Sequence, residues 1–251
     1  MRSSPIDVIR RYIEAHMDEF HGKRIACLQA LKLDELLKCK NPYIFRAKDF
    51  QVVADLVRHL LDAHLSSQEE TLFGDFLEGL AIFINTQAFG GWKSSAEGLD
   101  LEFDRQGKRH IVSIKSGPNW GNSSQIKKMT GNFKTAAKVL RQRNPELQVI
   151  AVNGCCYGTD SSPDKGDYFK YCGQDFWTFV SGDPDLYLHL IDPLGHQAKE
   201  RNAFFIQNHA KIVNQFTSEF SAQFCREGSI DWEALVRFNS ACSRIPPTPF
   251  T

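Results

Sequence analysis

Long apolar runs are missing from this sequence. None approaches the ~18 residues that a membrane-spanning helix needs, so a span is excluded. Residues 1–20 alternate charged and apolar side chains and hold no stretch of signal-peptide type, and a cytoplasmic protein is expected. No C-x-x-C pair occurs among the seven cysteines (Cys27, Cys39, Cys155, Cys156, Cys172, Cys225 and Cys242), whose odd number and scatter predict reduced, mostly packed thiols. A zinc site built from Cys155, Cys156, Cys172 and His189 would fit no structural-zinc spacing. An excess of either charge is also lacking: 30 Lys+Arg face 30 Asp+Glu, which excludes a uniformly basic nucleic-acid coat protein. With 24% charged and 42% hydrophobic residues the chain is neither collagenous nor wholly disordered. Neither an internal repeat nor a clear linker is visible. One domain over 1–251 is expected, with a helical part at 1–66, a core at 67–154 and a loop-rich, helical part at 155–251.

What is present begins with helical spacing. Ser4-Pro5 reads as a cap and first-turn proline, followed by Ile6, Ile9, Ile13, Met17 and Phe20. A second amphipathic segment carries Ile25, Leu28, Leu31 and Leu36 and breaks at Asn41-Pro42. A third, from about Val52 to Leu65, is expected to stop at Ser66-Ser67, where Ser67-x-x-Glu70 spells a capping box for a fourth ending near Gly90-Gly91. The period then changes to two. Leu99, Leu101 and Phe103 alternate with Asp100 and Glu102, and Val112 and Ile114 alternate with Ser113 and Lys115, which predicts a β-hairpin turning near Gly107. A helix capped by Ser123 or Ser124 and ended by Asn144-Pro145 follows, then a buried strand from Leu147 to Val152. This order predicts an α/β mixed sheet with helices on its faces. Beyond Gly154 a polar loop from Gly158 to Gly173, a helix near Phe176–Val180, a longer one from about His196 to Phe224 and a frayed tail from Arg244 are expected.

Charge is sorted along the chain. From Glu69 to Asp104 there are eight acids and one base, Lys93; from Arg105 to Pro145 there are ten bases and no acid. On the long helix Lys127, Lys134, Lys138 and Arg141 form one stripe beside the apolar stripe of Ile126, Phe133, Ala137 and Leu140. Solvated lysines on an amphipathic helix would look the same. The adjoining acidic cluster favours a phosphate-tracking rim, because carboxylates beside a bound polyanion need cations between them. That is the layout of a metal-dependent nuclease.

Residues two apart on a strand share a face, so Asp100 and Glu102 are expected to converge with Ser113 and Lys115, with Leu99, Leu101 and Phe103 in the core. Hydrolysis of a phosphodiester needs hard oxygen ligands for a divalent ion and a cation to orient the nucleophile. Asp100 is the candidate central metal ligand, with the Ile114 carbonyl beside it; Lys115 is the candidate that orients water; Glu78 can add a carboxylate from the preceding helix. Asn119, Trp120, Asn122, Ser123, Ser124 and Gln125 leave the sheet beside this chemistry, and with Lys127, Lys128 and Lys134 form the candidate DNA contacts; a capped helix entry with a packed Trp is the plainer alternative. Lys165, Tyr168 and Lys170 are secondary candidates.

Glu97-Gly98-Leu99-Asp100-Leu101-Glu102-Phe103 with Ile111-Val112-Ser113-Ile114-Lys115 resembles the PD-(D/E)xK nuclease core. The wider pattern is Asn41-Pro42-Tyr43-Ile44-Phe45-Arg46, Ser113-Ile114-Lys115-Ser116-Gly117-Pro118-Asn119-Trp120-Gly121-Asn122, Cys155-Cys156-Tyr157-Gly158 and Lys165-Gly166-Asp167-Tyr168. It resembles a family of bacterial type II restriction endonucleases. The resemblance implies a restriction-endonuclease-like fold, Mg²⁺ as cofactor, double-stranded DNA as substrate, a homodimer, and a cognate DNA methyltransferase as functional partner in a restriction–modification system. Two departures stand out. Leu99 replaces the proline, and Ser113 occupies the place of the second acid; no Asp or Glu anywhere has a lysine two residues later. Glu78 and Glu102 are the candidate replacements. If neither reaches, the chain is a catalytically inactive DNA-binding protein; a repair or junction-resolving nuclease on the same core is the other alternative.

Overall fold

The computed structural model describes residues 5–241. Ser4, Cys242 and the tail from Arg244 lie outside them. The N-terminal helices are α1 (Pro5–Ala30), α2 (Leu33–Cys39), α3 (Pro42–Ala47) and α4 (Val53–Phe89). The expected break at Asn41-Pro42 is a helix start: the Asn41 side chain accepts from the Tyr43 N–H at 3.0 Å, and Pro42 occupies the first turn, where its missing N–H costs nothing. The expected stop at Ser66-Ser67 is absent, and α4 runs through it as one helix of 37 residues. Ser67 Oγ and Thr71 Oγ1 donate back to the carbonyls four residues earlier, so these hydroxyls stay within the helix rather than capping a new one. The helix does end at the glycine pair, with Gly90 at φ 70°.

Strands β1 (Trp92–Lys93), β2 (Leu101–Arg105) and β3 (Lys108–Lys115) are followed by α5 (Ser123–Arg143), β4 (Gln148–Cys155) and β5 (Phe169–Cys172). They form one sheet in the order β1-β2-β3-β4-β5, antiparallel from β1 to β3 and parallel from β3 to β5. This is the α/β mixed sheet flanked by helices that the sequence predicts. β5 falls where an unbroken polar loop was expected. Then come α6 (Gln174–Ser181), α7 (Leu186–His189), α8 (Ile191–Gly195), α9 (Ala198–Phe224), β6 (Cys225–Arg226), β7 (Ser229–Ile230) and α10 (Trp232–Ser240). No described helix is long and apolar enough to cross a membrane.

The described chain divides into two compact units, residues 5–20 with 72–196 and residues 21–71 with 197–241. In the first, Ile9, Ile13 and Met17 of α1 and Leu77, Leu80 and Ile84 of α4 share a core with Leu101, Phe103, Val112 and Val152 on one face of the sheet. The other face carries Ile111 against Met129 and Phe133 of α5. Phe103, Phe133 and Phe176 are fully buried, each contributing roughly 1.5–3 kcal/mol of transfer free energy. The second unit is helical apart from the β6–β7 ribbon, with a core of Leu28, Leu36, Leu56, Leu60, Phe216 and Phe220.

Candidate active site

The hairpin that carries the candidate residues is closed by Gln106-Gly107, with φ 53° and 74°. Positive φ at both turn residues matches the twist of the flanking strands, which is why a glycine serves here. The register pairs Leu101 with Val112 and Glu102 with Ile111. Leu101, Phe103, Val112 and Ile114 therefore face α4, and Glu102, Ile111 and Ser113 face α5. Leu99 departs from the expected alternation: it packs with Ile111 and Phe133 on the α5 side. Its N–H closes a turn onto Ala96, and Gly98 sits at φ 72° with Asn132 of α5 against the place a Cβ would occupy. The strand parity starts only after that turn.

Asp100 extends the hairpin by one step. Its N–H donates to the Val112 carbonyl at 2.8 Å, and its carbonyl accepts from Ser94 at 3.1 Å. Its carboxylate Oδ2 accepts the Ile114 N–H at 2.6 Å and lies 3.5 Å from the Ser113 hydroxyl, a contact at the weak limit. Since N–H and carbonyl of one strand residue point to the same side, the Ile114 carbonyl also lies on the β2 side, just past the point where the ladder ends.

Glu78, on α4, has a side chain 28% exposed, with its carboxyl 3.6 Å from the Lys93 ammonium. Burial pushes its pKa up, the Asp100 carboxylate pushes it further, and Lys93 and Lys115 pull it back. Asp100 and Lys115 thus both lie close enough to Glu78 to act on it. Glu78 and Asp100 together offer a cation a hard-oxygen seat. Among the described residues no group of three or more His, Cys, Asp or Glu side chains is arranged to hold a metal ion. Two carboxylates and a carbonyl nevertheless fit Mg²⁺, which commonly takes one or two carboxylates and completes its shell with water and substrate phosphate.

Glu102 is engaged elsewhere. Its Oε1 accepts from Ser94 Oγ at 2.7 Å and its Oε2 from Arg109 at 3.3 Å. Arg109 in turn makes two bonds to Asp104, at 2.7 and 3.0 Å, and stacks 4.8 Å over Trp92.

The loop after Lys115 is tied down. Asn122, rather than a serine, caps α5: its Oδ1 accepts the Gln125 N–H at 3.1 Å while Gln125 Oε1 accepts the Asn122 N–H at 2.9 Å. The cap uses both amide oxygens and leaves both NH₂ groups as donors. Asn119, Ser123, Ser124, Lys127, Lys128 and Lys134 are exposed. Lys128 pairs with Glu97 at 3.6 Å and Lys134 with Asp167 at 2.8 Å. A groove of about 550 Å³ lies along α5, lined by Lys134, Lys138 and Arg141 over Phe133, Val149 and Ala151. Lys165 and Lys170 both reach Asp160, at 2.9 and 3.4 Å, and Lys170 also donates to the Pro118 carbonyl at 3.0 Å. The Lys165 ammonium, bonded to Asp160, holds that carboxyl below its usual range. Tyr168 packs beside Phe133.

Two further residues join the loop to the sheet. Trp120 is half-buried and donates its indole N–H to Asn153 Oδ1 at 3.0 Å, the packed alternative rather than a free wedge. Asn153 itself is buried on β4, one residue beyond the end of the strand that the sequence predicts. An isolated Asn continuing an apolar strand into Gly154 was the available signal. The thiols of Cys155, Cys156 and Cys172 are buried and free; burial, with the neighbouring Cys172 adding to it, pushes Cys155 up to about 12, and burial pushes Cys156 up as well, so these two stay protonated. His189 stands 3.5 Å from Asp183, and no zinc cluster forms among the described residues.

No curated protein matches the chain. The family described as type II restriction endonuclease EcoO109I matches residues 7–202, a stretch that holds every candidate residue named above. With a mixed sheet flanked by helices and that match over most of its length, the chain belongs to the type II restriction endonuclease EcoO109I family.

Proposed function

We propose that the chain is an Mg²⁺-dependent endodeoxyribonuclease that hydrolyses both strands of double-stranded DNA at a short site, within a restriction–modification system. The observation that supports this reading is Asp100, held by the Ile114 N–H at 2.6 Å at the end of the central strand that also bears Lys115, with both residues near enough to act on Glu78. Glu78, Asp100 and the Ile114 carbonyl would hold the ion, which supplies phosphate polarisation and a water of lowered pKa. Glu78 takes the place left by Ser113, because both oxygens of Glu102 already serve Ser94 and Arg109. Lys115 orients the attacking water and offsets charge developing on the phosphate. In-line attack by water leaves 5′-phosphate and 3′-hydroxyl ends. The DNA backbone runs along Lys127, Lys128 and Lys134, with Asn119, Ser123, Ser124 and the free amide donors of Asn122 and Gln125 nearer the cut.

The remaining readings belong to the same proposal: residues 1–251 work as one nuclease domain, as a homodimer, in the cytoplasm, beside a cognate DNA methyltransferase. Incubation of plasmid DNA with the protein and Mg²⁺ tests it. Discrete, reproducible fragments are expected. Cutting confined to branched DNA points to a junction-resolving nuclease. Salt-sensitive binding without cutting points to an inactive binding protein, the outcome that the serine at 113 would favour.

A further inference from the structure

We infer that Trp120 and Asn153 form a positioning pair that fixes the ammonium of Lys115 in the site, a role that rests on the nuclease reading above. Three contacts carry the inference. The Lys115 ammonium lies 5.4 Å from the centre of the Trp120 ring, within the range of a cation–π attraction. The Trp120 indole N–H donates to Asn153 Oδ1 at 3.0 Å. Asn153 Nδ2 donates to the Ser113 carbonyl at 3.2 Å. The orientation of the Asn153 amide is forced, because an indole can only donate and a carbonyl can only accept. Asn153 is 1% exposed, so its amide has no water to turn toward. Both ends of the chain of contacts return to the same strand, two residues apart: Ser113 through its backbone and Lys115 through its side chain.

The consequence is a closed loop of contacts around a flexible residue. A lysine has four rotatable carbons and a point charge, and it is fixed only by what its ammonium meets. The face of Trp120 gives that charge a seat without neutralising it, as a carboxylate would. It therefore remains a cation able to orient water. The loop from Ser116 to Gly121 cannot carry Trp120 away, since Tyr157 donates its N–H to the Ser116 carbonyl at 3.1 Å and Lys170 holds the Pro118 carbonyl. Trp120 is accordingly a positioning residue and not a base-reading wedge.

The test has one arm that needs no activity and one that does. In ¹⁵N-indole spectra of the full chain, the Trp120 signal is identified by its loss in Trp120→Phe. Lys115→Met is expected to shift it, and Asn153→Ala to speed its exchange with water. An unmoved signal in Lys115→Met overturns the proposal whatever the cleavage assay gives. In the second arm, single-turnover cleavage with Mg²⁺ is compared with DNA affinity measured in Ca²⁺. Trp120→Leu is expected to slow cleavage at least about tenfold, the scale of a misplaced catalytic group, with affinity within twofold. Trp120→Phe, which keeps an aromatic face, should lose less. A fall in affinity that accounts for the whole loss makes Trp120 a DNA contact and overturns the positioning role. A parent protein that cuts no DNA overturns the nuclease reading and this role with it. The spectral arm still reports whether the contact exists, so the two failures are told apart.

Discussion

The amide of Ile114 donates to the carboxylate of Asp100 across 2.6 Å, so a backbone group of the central strand aims the acid that precedes β2. A hydrogen bond from backbone to an ionised acceptor is among the stronger kinds, and it fixes one oxygen of Asp100 while leaving the other open.

Asp100→Asn keeps an acceptor for the Ile114 N–H and removes the charge. Cleavage is expected to fall by at least about 10²-fold, the scale of one preorganised electrostatic group, with DNA affinity in Ca²⁺ retained. Lys115→Ala should behave alike. Full activity in either variant, read on a plasmid digest, would reject the site.

Glu78→Gln and Glu102→Gln separate the two carboxylates. Loss of cleavage is expected for Glu78→Gln with little change in thermal midpoint. Glu102→Gln is expected to act through the Ser94–Arg109 contacts, destabilising the protein by about 1–3 kcal/mol, as when a buried charged partner is removed. Denaturant titration beside the cleavage assay distinguishes these outcomes.

Lys138 and Arg141 line the groove along α5. If DNA phosphates lie there, Lys138→Ala combined with Arg141→Ala reduces the slope of log affinity against log salt by roughly 2, at near-equal cost for all sequences. An unchanged slope removes the groove from the DNA path.

His110 gives a pH dependence of stability. It stacks on Phe103 and meets Phe179 edge-on, and its Nδ1 is buried without a partner. Burial lowers its pKa first, Arg105 and Lys108 add to this, and a backbone bond at Lys108 and the charge of Asp104 oppose it. The unfolded chain therefore takes up the proton before the folded one as pH falls below about 6.5, and stability is lost from there downward. In His110→Phe the slope of thermal midpoint against pH between about 6.5 and 5 should flatten, leaving the share due to His64, whose pKa burial also lowers.

The hairpin was legible because period-two alternation and the glycine turn point to one register, and that register alone brings Asp100 opposite Ser113. The helix that became α5 was legible from its apolar stripe. Leu99 was not, since a left-handed glycine resets the parity of the strand. The serine pair inside α4 misled for a related reason: the same hydroxyl that caps a helix can bond backwards within one, and only the surrounding packing decides. β5 has too few residues to show a period. Asn153 could not be recognised as part of the site, because its two partners stand 40 and 33 positions away in the chain.

β3 is the middle strand of five, laddered to β2 on one edge and to β4 on the other. Amides so placed open only with the whole fold, so those of Val112 to Ile114 should be among the last to exchange with deuterium. The scaffold under the candidate site is then rigid before any ligand arrives. Discrimination between one base sequence and another must be made by parts of the molecule that can still yield.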